Sequence, residues 1–116
     1  MRELMKALVY HGNGTIELID HPVPKLQSSR DAIVKVTLLT ICTSDLHIMH
    51  GAVPRANQEI ILGHEFVGEI VDVGSSMPHL QPGMRVAANC ITFCGDCWFC
   101  RKGFINNCVR GGWELG

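Results

Sequence analysis

The chain has 116 residues, 47% of them hydrophobic, and a formal net charge of −1. That supplies apolar material for one packed domain and rarely two. The balance excludes a nucleic-acid binder that works through a basic patch, and no apolar run approaches the ~20 residues of a membrane helix.

The first residues, Met1-Arg2-Glu3-Leu4-Met5-Lys6, carry charges with no long apolar run behind them. They do not read as a signal peptide, Met5 is an equally good start, and a cytoplasmic location is expected. Met5 to Tyr10 predicts a strand, Gly12-Asn13-Gly14 a turn, and Thr15 to Asp20 its hairpin partner. His21-Pro22-Val23-Pro24 is expected to leave the ladder as a loop. Asp31 to Ile41 is rich in β-branched residues and predicts a strand, with Val34, Val36 and Leu38 on one face and Lys35 and Thr37 on the other. Thr43 to Met49 predicts a short helix capped by Thr43 or Ser44. Phe66 to Val73 and Met84 to Ile91 predict two further strands, with a turn at Gln81-Pro82-Gly83 between them. No helix longer than about two turns is expected, and an irregular lobe fills about 90–112. The pattern is a mainly β domain, a partly open barrel with one short helix.

Six cysteines fall in the chain, and four of them, Cys94, Cys97, Cys100 and Cys108, form C-x2-C-x2-C-x7-C. Cysteines two residues apart can share one metal, and four thiolates close a tetrahedral shell around Zn²⁺ with no position left for substrate. Such a site is structural. Three disulfides in a secreted domain are the alternative that spacing and the missing signal peptide oppose, and an iron–sulfur cluster is the competing occupant of the same thiolates. Trp98 and Phe99, between the ligands, are expected to pack the lobe against its neighbour. Cys90 lies outside the four-ligand register and reads as a buried thiol.

The sixth cysteine opens Cys42-Thr43-Ser44-Asp45-Leu46-His47, and Gly63-His64-Glu65 follows seventeen residues after His47. One Cys, one His and one acid suit a catalytic zinc, which keeps a position for water or substrate. Ser44 and His47 share a helix face at i, i+3, so a hydroxyl can pass a proton to an imidazole that titrates in the useful range. Asp45 can orient a metal-bound histidine through its second ring nitrogen. Each residue also has a plain structural explanation: a buried thiol, helix-start polar groups, a hydrogen-bonded histidine. His11, His21, His50 and His79 have no supporting partners in sequence.

Together these motifs, with Gln81-Pro82-Gly83-Met84-Arg85-Val86, resemble the zinc-dependent medium-chain dehydrogenases, which include alcohol, polyol and threonine dehydrogenases. The resemblance runs from Met5 to about Gly112 and implies a GroES-like β barrel. It implies that Cys42 and His64 ligate a catalytic zinc, with Glu65 a ligand or a nearby carboxylate. It implies that Ser44 meets the alcohol oxygen, that His47 ends the proton relay, and that Asp45 supports the site. Cys94, Cys97, Cys100 and Cys108 would hold a structural zinc. Thr43 stands where some members carry a basic residue for the cofactor phosphate. The implied activity oxidises an alcohol to an aldehyde or ketone, or the reverse, with NAD or NADP. The alternatives are a polyol or threonine dehydrogenase, or a non-catalytic zinc module. The chain contains no G-x-G-x-x-G behind a strand, since Glu17 fills the third glycine position after Gly12 and Gly14. The cofactor domain is therefore expected outside these 116 residues, and the chain alone is expected to be inactive. Its expected partners are a small alcohol or carbonyl substrate and, at full length, further copies in a dimer or tetramer, with neither nucleic acid nor membrane.

Overall fold

The computed structural model describes residues 3–111. The sequence readings on Met1, Arg2 and the lobe end at Gly112 lie outside them. The architecture is mainly β, in two three-stranded sheets that do not close on one another. The first sheet has the order β2-β1-β4, from β1 (Leu4–Gly12), β2 (Thr15–Pro22) and β4 (Ile60–Ile61). The second has the order β3-β5-β6, from β3 (Ala32–Thr40), β5 (Glu65–Val73) and β6 (Arg85–Ala87). Between β3 and β4 stands α1 (Thr43–Met49), and the cysteine lobe carries α2 (Trp98–Arg101) and a 3-10 turn at Ile105–Asn107.

The hairpin follows the sequence signal. Gly12, Asn13 and Gly14 all have positive φ, the backbone that glycine and asparagine tolerate best. β1 runs down the centre of its sheet, and its Ala7, Val9 and Tyr10 are buried. The expected loop at His21-Pro22 is instead strand, paired to Met5 and Leu4. β2 is an edge strand, so the N–H that Pro22 lacks is not needed by a further neighbour.

β5 is the centre of the second sheet, and Ile70 is its most buried side chain. It pairs with β3 from Ala32↔Val73 to Thr40↔Glu65, with irregularities between Ile33 and Val34 and between Val36 and Leu38. The second of these sets Thr37 out of register and interrupts the expected alternation. Val36 and Leu38 are accordingly not core residues: they are exposed, as are Leu39 and Ile41. An apolar face is left uncovered, consistent with a radius of gyration of 15.2 Å against about 13 Å for a compact chain of this size.

The strand expected over Met84 to Ile91 is only Arg85–Ala87. Ala88 still donates to Phe66, but the Asn89 side chain then accepts the Ile91 N–H and turns the chain out of the sheet. Cys90 is exposed here, which corrects the expectation of a buried thiol. β4, a two-residue strand on β1, is too short to leave a pattern in sequence.

Gly68 and Gly74 are required by close approach. A Cβ on Gly68 would stand 2.3 Å from the Lys35 carbonyl oxygen, and one on Gly74 would stand 2.2 Å from that of Ser29. Both obstacles are backbone and cannot swing aside. Gly68→Ala is expected to destabilise the protein by about 1–3 kcal/mol, lowering Tm on the order of 4 °C per kcal/mol. Thermal melting would check this, and an unchanged Tm would show that the β3–β5 approach is looser than described.

Candidate metal centres

The register of β3 against β5 builds the first centre. Because Thr40 pairs with Glu65, the residues just beyond the ladder, Cys42 and His64, emerge at the same end. Donor atoms of Cys42, His64 and Glu65 lie within 4.8 Å of one another. Cys42 takes the N-cap of α1 with extended backbone (φ −96°, ψ 156°), in place of the expected Thr43 or Ser44. Asp45, in the first turn, accepts the Cys42 N–H on Oδ2 at 3.1 Å. Its other oxygen, Oδ1, is buried, has no hydrogen-bond partner, and lies 3.6 Å from His64 Nδ1. A buried carboxylate oxygen aimed at a histidine suits one that turns its second nitrogen to a metal.

The Ser44 hydroxyl lies 3.5 Å from Cys42 Sγ. The Ser44 side chain and backbone, with His64 behind them, hold the Cys42 thiol below its ordinary value, and so favour the thiolate that ligates metal. Ser44 and His47 are exposed on α1, three residues apart. Thr40 Oγ1 donates to Glu65 Oε2 at 2.7 Å, a contact with no signature in sequence because its partners are 25 residues apart. Beside the centre opens a cleft of about 460 Å³, whose lining includes Leu38, Leu39, His64, Glu65, Ala88 and Cys90. Apolar walls with polar groups at one end are the usual form of a small-molecule site.

The second centre lies in the lobe. Sγ atoms of Cys94, Cys97, Cys100 and Cys108 all lie within 4.8 Å of one another. Backbone N–H groups are turned onto the sulfurs: Asp96 and Cys97 donate to Cys94, Cys100 to Cys97, and Cys94 and Arg110 to Cys108, at 3.3–3.5 Å. Such donors stabilise negative sulfur, so the shell fits a thiolate-bound cation. The Cys100 N–H draws Cys97 down to about 6, burial pushes Cys100 up to about 12, and the Cys94 N–H lowers Cys108. All six cysteines are free. Arg30 ties the lobe to the segment before β3, with Nη2 donating to the Cys94 carbonyl at 3.0 Å and Nη1 to Asp96 at 3.1 Å. Trp98 stacks edge-on against Phe99 at 5.2 Å. It is 63% exposed, so among the described residues it does not pack the lobe down as expected.

Residues 28–116 match the family model of the alcohol dehydrogenase GroES-like domain. The chain belongs to the zinc-dependent medium-chain alcohol dehydrogenase family. The zinc-type alcohol dehydrogenase B of Aspergillus flavus is 40% identical over 106 residues, covering 91% of this chain and 24% of that protein. The alcohol dehydrogenase TADH from Thermus sp. ATN1 superposes with a TM-score of 0.86 at 41% identity, over 93% of this chain and 31% of that one. An NADP-bound structure from Sinorhizobium meliloti 1021 superposes with a TM-score of 0.82 at 33% identity, over 95% and 32%. The chain thus spans about a quarter to a third of these relatives. The open β architecture is the GroES-like fold of this dehydrogenase family. None of the helices among the described residues is long and apolar enough to cross a membrane.

The unequal thiols give a test. In the metal-free lobe the Cys100 N–H, by drawing Cys97 down to about 6, favours its thiolate at pH 7, while burial, by pushing Cys100 up to about 12, favours its thiol. Iodoacetamide is expected to label Cys97 roughly 10-fold or more faster than Cys100, because the thiolate is the nucleophile. Zn²⁺ is expected to suppress both reactions. Mass spectrometry of the labelled peptides reads the result. Equal rates, or no protection by zinc, would contradict the arrangement of the lobe.

Proposed function

We propose that this chain supplies the substrate side of a zinc-dependent, NAD(P)-linked dehydrogenase that interconverts an alcohol with its aldehyde or ketone. The observation that carries this reading is the convergence of Cys42, His64 and Glu65 beside an exposed hydroxyl, with His64 and Glu65 lining a largely apolar cleft. The four-thiol lobe alone would fit a non-catalytic module, but such a module has no use for a second, open set of donors.

In this reading Cys42 and His64, with Glu65 beside them, hold the catalytic zinc, and Asp45 Oδ1 fixes the His64 ring through Nδ1. Zinc bound there supplies Lewis acidity that lowers the pKa of an alcohol. Ser44, next to Cys42, accepts a hydrogen bond from the substrate hydroxyl and takes its proton while giving its own to the His47 imidazole. His47, one turn along α1 and exposed, passes that proton to water. Leu38 and Leu39 hold the carbon skeleton and keep water from it. NAD⁺ or NADP⁺ bound beside the site would supply the hydride acceptor, and loss of the hydroxyl proton by way of Ser44 would then leave the carbonyl. The NADP in the Sinorhizobium structure supports that acceptor. Cys94, Cys97, Cys100 and Cys108 hold a second, structural zinc. A reducing cytoplasm suits six free cysteines.

Ser44 is the point at which the reading is most exposed. In the full-length enzyme Ser44→Ala is expected to lower kcat for alcohol oxidation about 100-fold or more, the usual range for a lost acid–base group. Ser44→Thr, which keeps the hydroxyl, is expected to retain most of it. Steady-state kinetics of the two variants would decide: equal losses would remove the hydroxyl from the relay.

A further inference from the structure

His11 gained no role from the sequence, yet it stands at a junction. On β1, its Nδ1 lies 2.8 Å from Glu59 Oε1 and its Nε2 lies 3.0 Å from Glu17 Oε2. A carboxylate only accepts hydrogen bonds, and a neutral imidazole has one N–H to give. Both contacts are satisfied together only by the imidazolium, which donates from both nitrogens.

The two glutamates belong to different parts of the sheet. Glu17 is on β2, and Glu59 directly precedes β4. Glu59 is one of two non-glycine residues described with positive φ, at 65°. A residue held in that region needs its surroundings to keep it there. Its N–H donates to Tyr10 O at 2.6 Å, and its carboxylate meets His11. The neighbouring Gln58 side chain closes over Gly12, where a Cβ would stand 2.7 Å from its amide nitrogen. From Glu59 the chain runs through Ile60 and Ile61, which pair with Tyr10 and Val9, to Leu62, which donates to Leu8 O at 2.8 Å. Gly63 then turns with φ 122°, and His64 and Glu65 follow. A two-residue strand therefore holds the His64–Glu65 pair from its N-terminal side, while the β3–β5 ladder holds Glu65 from the other.

We propose that His11, clamped between Glu17 and Glu59, is a positioning residue that fixes the Glu59–Leu62 run and through it the His64–Glu65 pair. This rests on the proposed role of His64 and Glu65 as ligands. The charged groups that act on the ring are Glu59 and Glu17, and they raise the His11 pKa above its ordinary 6.5. The sign follows from the folded state binding the proton more tightly than the unfolded chain. The clamp's contribution is fully present below pH 6.5 and is lost as pH rises through the raised value.

The test is amide hydrogen exchange at Glu59 and Leu62, as protection factors from pH 5.5 to 8.5, with His11 followed by its ring-proton NMR titration. Wild-type protection is expected to fall roughly 10-fold across the His11 titration. In His11→Gln, which donates one uncharged bond, protection is expected to be low and flat. In His11→Arg, a permanent cation with several donors, it is expected to be high and flat. Core amides such as Ile70 serve as the control for global unfolding. Co²⁺ added to the same samples reads the Cys42–His64 site through its thiolate absorption. Its affinity is expected to be about 10-fold weaker in His11→Gln and restored in His11→Arg. Protection in wild type that ignores the His11 titration would overturn the clamp. Lost protection with unchanged Co²⁺ affinity would overturn its positioning role. A wild-type chain that binds no metal at Cys42 and His64 would instead defeat the proposed function, and the exchange result alone would then decide the clamp.

Discussion

One buried carboxylate joins the pieces of the first centre. Asp45 caps the start of α1 by accepting the Cys42 N–H, and it turns its unpaired oxygen toward His64 Nδ1. Leaving a buried carboxylate oxygen without a partner costs about 1–3 kcal/mol or more. The position is therefore stabilised when His64 supplies a proton and its other nitrogen is occupied. The same side chain meets the backbone of one proposed ligand and the ring of another. The β3–β5 register delivers both to one end of the ladder, and Thr40 against Glu65 marks where that ladder stops.

The lobe solves a different problem. Its four donors come from one short stretch, and the backbone within that stretch supplies the N–H groups that stabilise their charge. In the proposed reading, metal binding and local folding there would reinforce each other. Arg30 is the strut between this self-contained unit and the sheet, and its exposed ion pair with Asp96 contributes little beside the bond to the Cys94 carbonyl. The first centre has donors spread over two elements and exposed groups next to them. That contrast supports the proposed division into a closed structural shell and an open site.

Local signals were legible in the sequence. The hairpin turn, the bounds of α1 and the grouping of both cysteine motifs all rest on contacts within a few residues. Asp45 was expected beside a histidine ring, and its Oδ1 lies 3.6 Å from His64 Nδ1. What escaped depends on pairing across long separations. The interruption at Thr37 breaks the expected alternation that put Val34, Val36 and Leu38 on one face, and only the register with β5 reveals it. Pro22 stays in a strand because β2 is an edge, which composition does not disclose. Trp98 and Cys90 were read as buried from residue type, and both are exposed. His11 and Arg30 find their partners 48 and 64 residues away.

The central claim is that Cys42, His64 and Glu65, supported by Asp45, form a metal site separate from the four-cysteine shell. Zinc released during titration with a mild chelator measures it most directly, in wild type and in Asp45→Asn, His64→Ala and Cys97→Ser. The account predicts two ions in wild type. One is easily stripped, absent in His64→Ala and looser still in Asp45→Asn; the other is tightly held and lost only in Cys97→Ser. A wild-type chain with one ion, unaffected by His64→Ala and Asp45→Asn, would contradict it.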